Sequence, residues 1–268
     1  MIVKEINCKS ILTKSGIEGV DYAINPYVGC SHGCVYCYAT FMKRFTGHTE
    51  EWGTFVDVRV NAAEVLARQM KRAKPGNISI GTVTDPYQPL EKKYQITRAC
   101  LEVLTACDFP VSILTKSDLV RRDIDLLHRL RDVDVGFTIT TLDEDAWRVF
   151  EPHSSPVPAR LQAMTELAQA GIKTWAFCGP LLPFLSDGEE QMDALFGELA
   201  RAGVSYIHVD SMKLSGSIGG KVRRVLERHY PDLVEGYRDI AANRRPYHEA
   251  LMARARMLAE KHGLACKV

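Results

Sequence analysis

From about residue 20 to residue 210, short apolar runs alternate with stretches of helical periodicity. Ile78-Ser79-Ile80-Gly81, Val111-Ser112-Ile113-Leu114-Thr115, Val135-Gly136-Phe137-Thr138-Ile139, Thr174-Trp175-Ala176-Phe177 and Val204-Ser205-Tyr206-Ile207-His208-Val209 each fit a strand. A weaker alternation over 22–28 reads as the first strand. Helical spacing follows each run, near 38–45, 62–72, 97–107, 123–130, 143–150, 159–169 and 189–202, with stops at Pro75-Gly76 and Gly171. Further helical patterns cover 221–229 and 247–262. Six βα units in succession predict an α/β fold of parallel strands with right-handed crossovers. Residues 1–20 read as an irregular lead-in, 46–57 as a loop, 21–215 as the β/α body and 216–268 as a helical extension packed on it, in one domain overall.

Composition narrows the function classes. The 268 residues suffice for one large domain, and 46% hydrophobic with 25% charged residues is ordinary for a globular protein. A net charge of +1 announces no global basic field. The basic runs Lys221-Val222-Arg223-Arg224 and Arg244-Arg245 are diluted by Glu227, Asp232, Glu235 and Asp239 and read as a charged helix face or as phosphate contacts. No apolar run approaches the ~20 residues of a membrane span, and Met1-Ile2-Val3-Lys4-Glu5 lacks the apolar core of a signal peptide. Five of the eight cysteines (Cys8, Cys100, Cys107, Cys178 and Cys266) form no disulfide framework, so a reducing cytoplasm is expected.

The other three stand together in Cys30-Ser31-His32-Gly33-Cys34-Val35-Tyr36-Cys37-Tyr38. Three thiolates this close, in a loop that Gly29 and Gly33 let curl, suit zinc or an iron–sulfur cluster. Structural zinc wants four ligands, and no second pair follows; Cys8 or His32 would have to complete the set. A [4Fe–4S] cube held by three cysteines keeps one iron free to bind a substrate or cofactor.

The string Asn25-Pro26-Tyr27-Val28-Gly29-Cys30-Ser31-His32-Gly33-Cys34-Val35-Tyr36-Cys37-Tyr38-Ala39 resembles the radical S-adenosylmethionine (SAM) superfamily, and within it the spore photoproduct lyase-like branch. The resemblance implies a partial (β/α)6 TIM-type barrel with the cluster loop after its first strand. It implies Cys30, Cys34 and Cys37 as ligands of a [4Fe–4S] cluster, with SAM on the open iron. It also implies reductive cleavage of SAM to methionine and a 5′-deoxyadenosyl radical, driven by a reductant such as flavodoxin or ferredoxin.

In β/α barrels the functional groups gather at the C-terminal strand ends, which directs attention to the residues after each run. The resemblance places Tyr36 near adenine and Tyr38 near SAM or substrate. Thr84 and Asp85, in Thr82-Val83-Thr84-Asp85-Pro86-Tyr87-Gln88-Pro89-Leu90-Glu91, are expected to contact SAM or substrate. Lys116 would pair with the SAM carboxylate and Thr138 would touch SAM. Glu151 and Arg160 match a pattern of the branch and would bind SAM or brace the barrel. Thr82 stands where the lyase carries a hydrogen-donating cysteine, and a hydroxyl O–H is too strong for that role. Cys178, at the end of the fifth run, is expected to replace it, unless it is a small core residue. His208, Asp210, Ser211 and Lys213 follow the last strand and read as substrate contacts or a solvated rim.

The leading expectation is an enzyme that abstracts hydrogen from a base, nucleoside, nucleotide or nucleic acid, with lyase-like chemistry. A radical maturase of a peptide or protein is the second enzyme reading. A zinc-binding regulatory module is the non-enzymatic one.

Overall fold

The computed structural model describes residues 1–267. Its strands are β1 (Ile2–Ile6), β2 (Leu12–Lys14), β3 (Tyr22–Ile24), β4 (Tyr27–Val28), β5 (Phe55–Arg59), β6 (Ile78–Ile80), β7 (Val111–Thr115), β8 (Val133–Thr138), β9 (Lys173–Leu181), β10 (Tyr206–Ser211) and β11 (Ala265–Lys267). The main sheet has eight strands in the order β11-β10-β9-β8-β7-β6-β3-β2. The six strands β3, β6, β7, β8, β9 and β10 run parallel in sequence order, as the βα pattern requires. The outermost strands β2 and β11 do not pair with each other, so the curved sheet is a partial barrel.

Crossover helices explain themselves by their apolar stripes. Ile96–Leu104 buries Ile96, Cys100, Leu101 and Leu104, and Glu189–Arg201 buries Met192, Leu195, Phe196 and Leu199. These faces meet the outward residues of the sheet, such as Ile80, Ile113, Val135 and Ile207, in one continuous core. The helices Gly216–His229 and Val234–Ala242 follow β10 and pack Val222, Leu226 and Tyr237 against the cysteine loop.

Four local expectations change. The run 22–28 splits at Pro26, which has no N–H to give a ladder, so Tyr27–Val28 leaves the main sheet. It joins a second sheet, β1-β5-β4. Residues 1–20 therefore carry strands β1 and β2, and the loop 46–57 contains the start of β5. Strand β1 is almost wholly exposed and mixes Val3 with Lys4 and Glu5, so it shows no period-two apolar face; its pairing with β5 defines it. The C-terminal extension also ends in a strand, β11, beside β10. No helix is long and apolar enough to cross a membrane among the described residues.

Gly136 of β8 is required by a close approach inside the barrel. A Cβ there would lie 2.3 Å from Trp175 Cε2, and the Trp175 indole N–H donates to Asp134 Oδ1 at 2.9 Å, which fixes the ring. Gly136→Ala is expected to lower stability by about 1–3 kcal/mol through overpacking, read as a lower urea midpoint with an unchanged slope.

Candidate active site

The cysteine loop leaves β4 and runs into the helix Tyr38–Phe45, so the three thiols sit at the end of the barrel where the parallel strands finish. Gly29 opens the loop at φ +85°, and a Cβ there would meet the Phe55 carbonyl oxygen at 2.5 Å. Its own carbonyl accepts from Thr84 Oγ1 at 2.5 Å. The Ser31 amide donates to Gln88 Oε1 at 2.9 Å, and Gln88 Nε2 donates to Thr84 Oγ1 at 3.2 Å. The stretch after β6 thus clamps the loop by its backbone. Two apolar clusters close on its flanks. Cys30 packs with Ala39, Trp52 and Phe55, and Cys34 and Tyr36 pack with Phe150, Leu182, Met212 and Leu226.

Burial pushes the Cys30 thiol up to about 12, with Asp85 adding to it, and raises Cys34 and Cys37 as well. Such thiols stay protonated until a cation takes the proton's place. The surroundings are ready for that exchange. The amides of His32 and Asp85 favour a Cys30 thiolate; the amide of Ala39 and the indole N–H of Trp52 favour a Cys37 thiolate. Trp52 Nε1 and Ser31 Oγ are buried and otherwise lack a hydrogen-bond partner. Buried donors without oxygen acceptors suit a centre made of sulfur. Among the described residues no three His, Cys, Asp or Glu side chains stand close enough to hold a single metal ion. The closed zinc set is not assembled, whereas a cube takes its thiolates on separate corners. The residues fit a [4Fe–4S] cluster held by Cys30, Cys34 and Cys37.

The loop forms one wall of a cavity of about 240 Å³. Tyr36, Tyr38, Thr82, Thr84, Asp85, Lys116 and Thr138 line it from the loop and from the ends of β6, β7 and β8. Phe177, Gly179, Pro180, Asp210, Ser211 and Lys213 close the far side. The polar atoms of Thr84 and Asp85 are committed to the scaffold. Asp85 accepts from Thr115 Oγ1 and the Lys116 amide at 2.7 Å each and from the Tyr87 amide at 2.8 Å, and faces His32 Nδ1 at 3.3 Å. Burial alone would raise the Asp85 pKa; His32 and these donors overcome it and bring it to about 2. Lys116 remains available. Burial presses its ammonium toward neutrality, but the negative charge around it, the carboxylates of Glu151 and Asp85 included, outweighs this and holds the proton. It stands 5.6 Å from the Tyr36 ring centroid. Tyr38 donates to the Thr82 carbonyl while its ring is half exposed at the mouth.

Three expected site residues lie elsewhere. Glu151 and Arg160 do not line the cavity and are fully buried behind it. Arg160 donates to Glu151 Oε2 and to the Thr138 carbonyl at 2.6 Å each, and Glu151 Oε1 accepts from the Tyr36 hydroxyl. Burial pushes the Glu151 carboxyl up, but Arg160 and Lys116 keep it below the usual range. The pair braces the wall instead of touching a cofactor. Cys178 is fully buried in the core, while its neighbours Phe177 and Gly179 line the cavity. Successive side chains of a strand point to opposite faces, so the thiol is turned away and the role of hydrogen donor is withdrawn. The sequence reading did not single out Gln88, Trp52 or Asn25, whose side chain bonds Thr82 Oγ1 at 2.9 Å and the Val83 amide at 3.0 Å. Gln88 and Asn25 lay in strings that were already legible; nothing around Trp52 marks it in sequence.

Arg160→Met is expected to cost about 3–5 kcal/mol, because it strands the Glu151 carboxylate in the core. The double variant Glu151→Gln/Arg160→Met should recover part of that loss in urea unfolding. Cys178→Ala should leave product yield and hydrogen-isotope incorporation unchanged while lowering stability by about 1–2 kcal/mol through the small cavity it opens.

The radical SAM superfamily profile matches residues 24–196. An uncharacterised protein of Methanocaldococcus jannaschii is 33% identical over 231 residues, covering 86% of this chain and 85% of its own. The spore photoproduct lyase of a Geobacillus species is 26% identical over 225 residues, covering 81% of this chain and 62% of that enzyme. A solved spore photoproduct lyase mutant with bound AdoMet and dinucleoside spore photoproduct superposes with a TM-score of 0.72 at 20% identity, over 98% of this chain and 80% of the other. The lyase fold, the matched profile and the three-cysteine cavity agree: the chain belongs to the radical SAM superfamily, whose enzymes work with a [4Fe–4S] cluster and SAM.

Proposed function

We propose that this enzyme cleaves SAM at a cluster held by Cys30, Cys34 and Cys37 and directs the radical at a base, nucleoside, nucleotide or nucleic-acid substrate. The observation that carries the reading is the shared cavity, with three thiols on one wall and the polar set Asp210, Ser211 and Lys213 on the wall opposite. Bound there, the cluster and SAM supply the electron and the 5′-deoxyadenosyl radical. The chain's own residues bind, orient and exclude water. Lys116, kept protonated, receives the SAM carboxylate. Tyr36, its hydroxyl fixed by Glu151, sets the wall beside the adenosine, and Thr138 bounds the site from β8. The apolar flanks around Cys30 and Cys34 keep water from the thiolates.

The far wall meets the substrate. Ser211 Oγ is held by His248 Nδ1 at 2.9 Å, whereas Asp210 can accept and the exposed Lys213 can donate hydrogen bonds, a pairing suited to the mixed donor–acceptor edge of a nucleobase. The lyase relatives point to a pyrimidine lesion, and the net charge of +1 points to a small substrate. With Cys178 turned outward, Tyr38 is the side chain at the mouth whose phenolic O–H is weak enough to return a hydrogen atom to a carbon radical.

The test is anaerobic reconstitution with iron and sulfide, then SAM and dithionite. Formation of 5′-deoxyadenosine and methionine, abolished in Cys34→Ala, is the expected result. Retention of zinc without iron uptake would sink the reading. A substrate screen from nucleosides to oligonucleotides follows, and a steep loss of binding with salt assigns the polymer.

A further inference from the structure

We propose that the outer face of the helix Tyr38–Phe45 is the docking surface for a small acidic one-electron carrier protein, of the flavin or iron–sulfur class, that feeds the cysteine site. The proposal rests on the function given above. Each reductive cleavage of SAM takes one electron. The reduced carrier leaves oxidised by one electron, and SAM plus that electron becomes methionine and the 5′-deoxyadenosyl radical.

Position is the first argument. The helix begins directly after Cys37, which is its N-terminal flanking residue. Its inner residues Ala39 and Met42 pack with Cys30, Cys37, Trp52 and Phe55. The segment is a single 3₁₀ helix, more tightly wound than an α-helix of about 10 Å across with its side chains, so only this one layer separates its outer face from the thiols. The other flank, beside Cys34, is covered by the C-terminal helices through Val222, Leu226 and Tyr237. The cavity mouth has to admit SAM and substrate. The outer face of this helix is thus the short route that stays open during turnover.

The second argument is chemical. Phe41 and Phe45 are 41% and 75% exposed, although the inner face of the helix is already filled. They pack edge to face at 6.4 Å, a preformed apolar knob. Lys43 and Arg44 lie in the last turn, and the helix carries no acidic residue. Lys43 Nζ faces the Thr49 carbonyl at 3.0 Å. The nearby acids are engaged elsewhere, Glu50 with His48 and Glu51 with Lys221. An aromatic centre with a cationic rim is the anatomy of a transient protein interface. The helix itself is cationic on a chain of net charge +1, and its two cations favour an acidic partner by steering. Two cations are too few to follow a phosphate backbone, and the mutually packed rings offer little free face for base stacking, so a nucleic acid fits less well.

The experiment uses the reconstituted protein with SAM and one of two reductants, dithionite or a bacterial flavodoxin with its NADPH-dependent reductase. Lys43→Glu/Arg44→Glu and Phe45→Ser are compared with the unaltered chain. The flavodoxin concentration for half-maximal 5′-deoxyadenosine formation is expected to rise about tenfold, with a matching loss of flavodoxin affinity by calorimetry. The dithionite-driven rate and the iron content should not change. Unchanged flavodoxin dependence overturns the proposal. So does a parallel fall with both reductants, which makes the face structural. If the variants lose oligonucleotide affinity while flavodoxin dependence stays intact, the face belongs to nucleic acid and the proposal also fails. If the unaltered protein cleaves no SAM with dithionite, it is the proposed function that fails, and calorimetry still reads whether flavodoxin docks on this helix.

Discussion

The backbone clamp on the cysteine loop is the constraint on which the site depends. A loop that puts three thiols at the end of a barrel exposes its own amides and carbonyls to an apolar wedge, where each unmet group is costly. Thr84 meets the Gly29 carbonyl, Gln88 meets the Ser31 amide, and the two side chains bond each other. Because both come from the turn after β6, the loop is referenced to the sheet. Its apolar flanks then pack from two directions, the segment around Trp52 and Phe55 on one side and the C-terminal helices on the other. The fold thereby supplies a dry pocket with its N–H groups already aimed at sulfur.

Buried charge serves the same end. Asp85 ties the ends of β6 and β7 together through Thr115 and the Lys116 amide, and Glu151 with Arg160 ties the end of β8 to Tyr36. Such pairs contribute little net stability against apolar substitutes, but removing one partner is expensive. Their effect here is positional. They hold Lys116 protonated and Tyr36 upright while their own polar atoms stay bonded to the scaffold, which leaves those two groups for a ligand.

Much of the site was legible because its motifs are local. The cysteine spacing, the Thr84-Asp85 turn, Lys116 after its strand and Thr138 are all set by short strings, and the barrel carries each string to the same end. The failures share one cause. Cys178 was placed correctly along the chain and wrongly across it, since the face of a strand depends on register, and Phe177 takes the cavity side. For Glu151 and Arg160 the motif left cofactor contact and bracing both open, and their mutual ion pair decides for bracing. Trp52 sits in a polar excursion whose partner, the cysteine loop, lies far enough away in sequence that only packing joins them.

Hydrophobic period and motif spacing act over a few residues, so they are enough to set the parallel βα order, the three-thiolate array and the end of the barrel where the site lies. Tertiary structure alone decided which polar groups face the cavity and which brace it. It also decided that strands β1, β4 and β5 form a separate small sheet and that an aromatic, cationic helix face stays uncovered beside the thiols. Those outcomes depend on long-range pairing and packing, in which a side chain's role is set by what arrives opposite it.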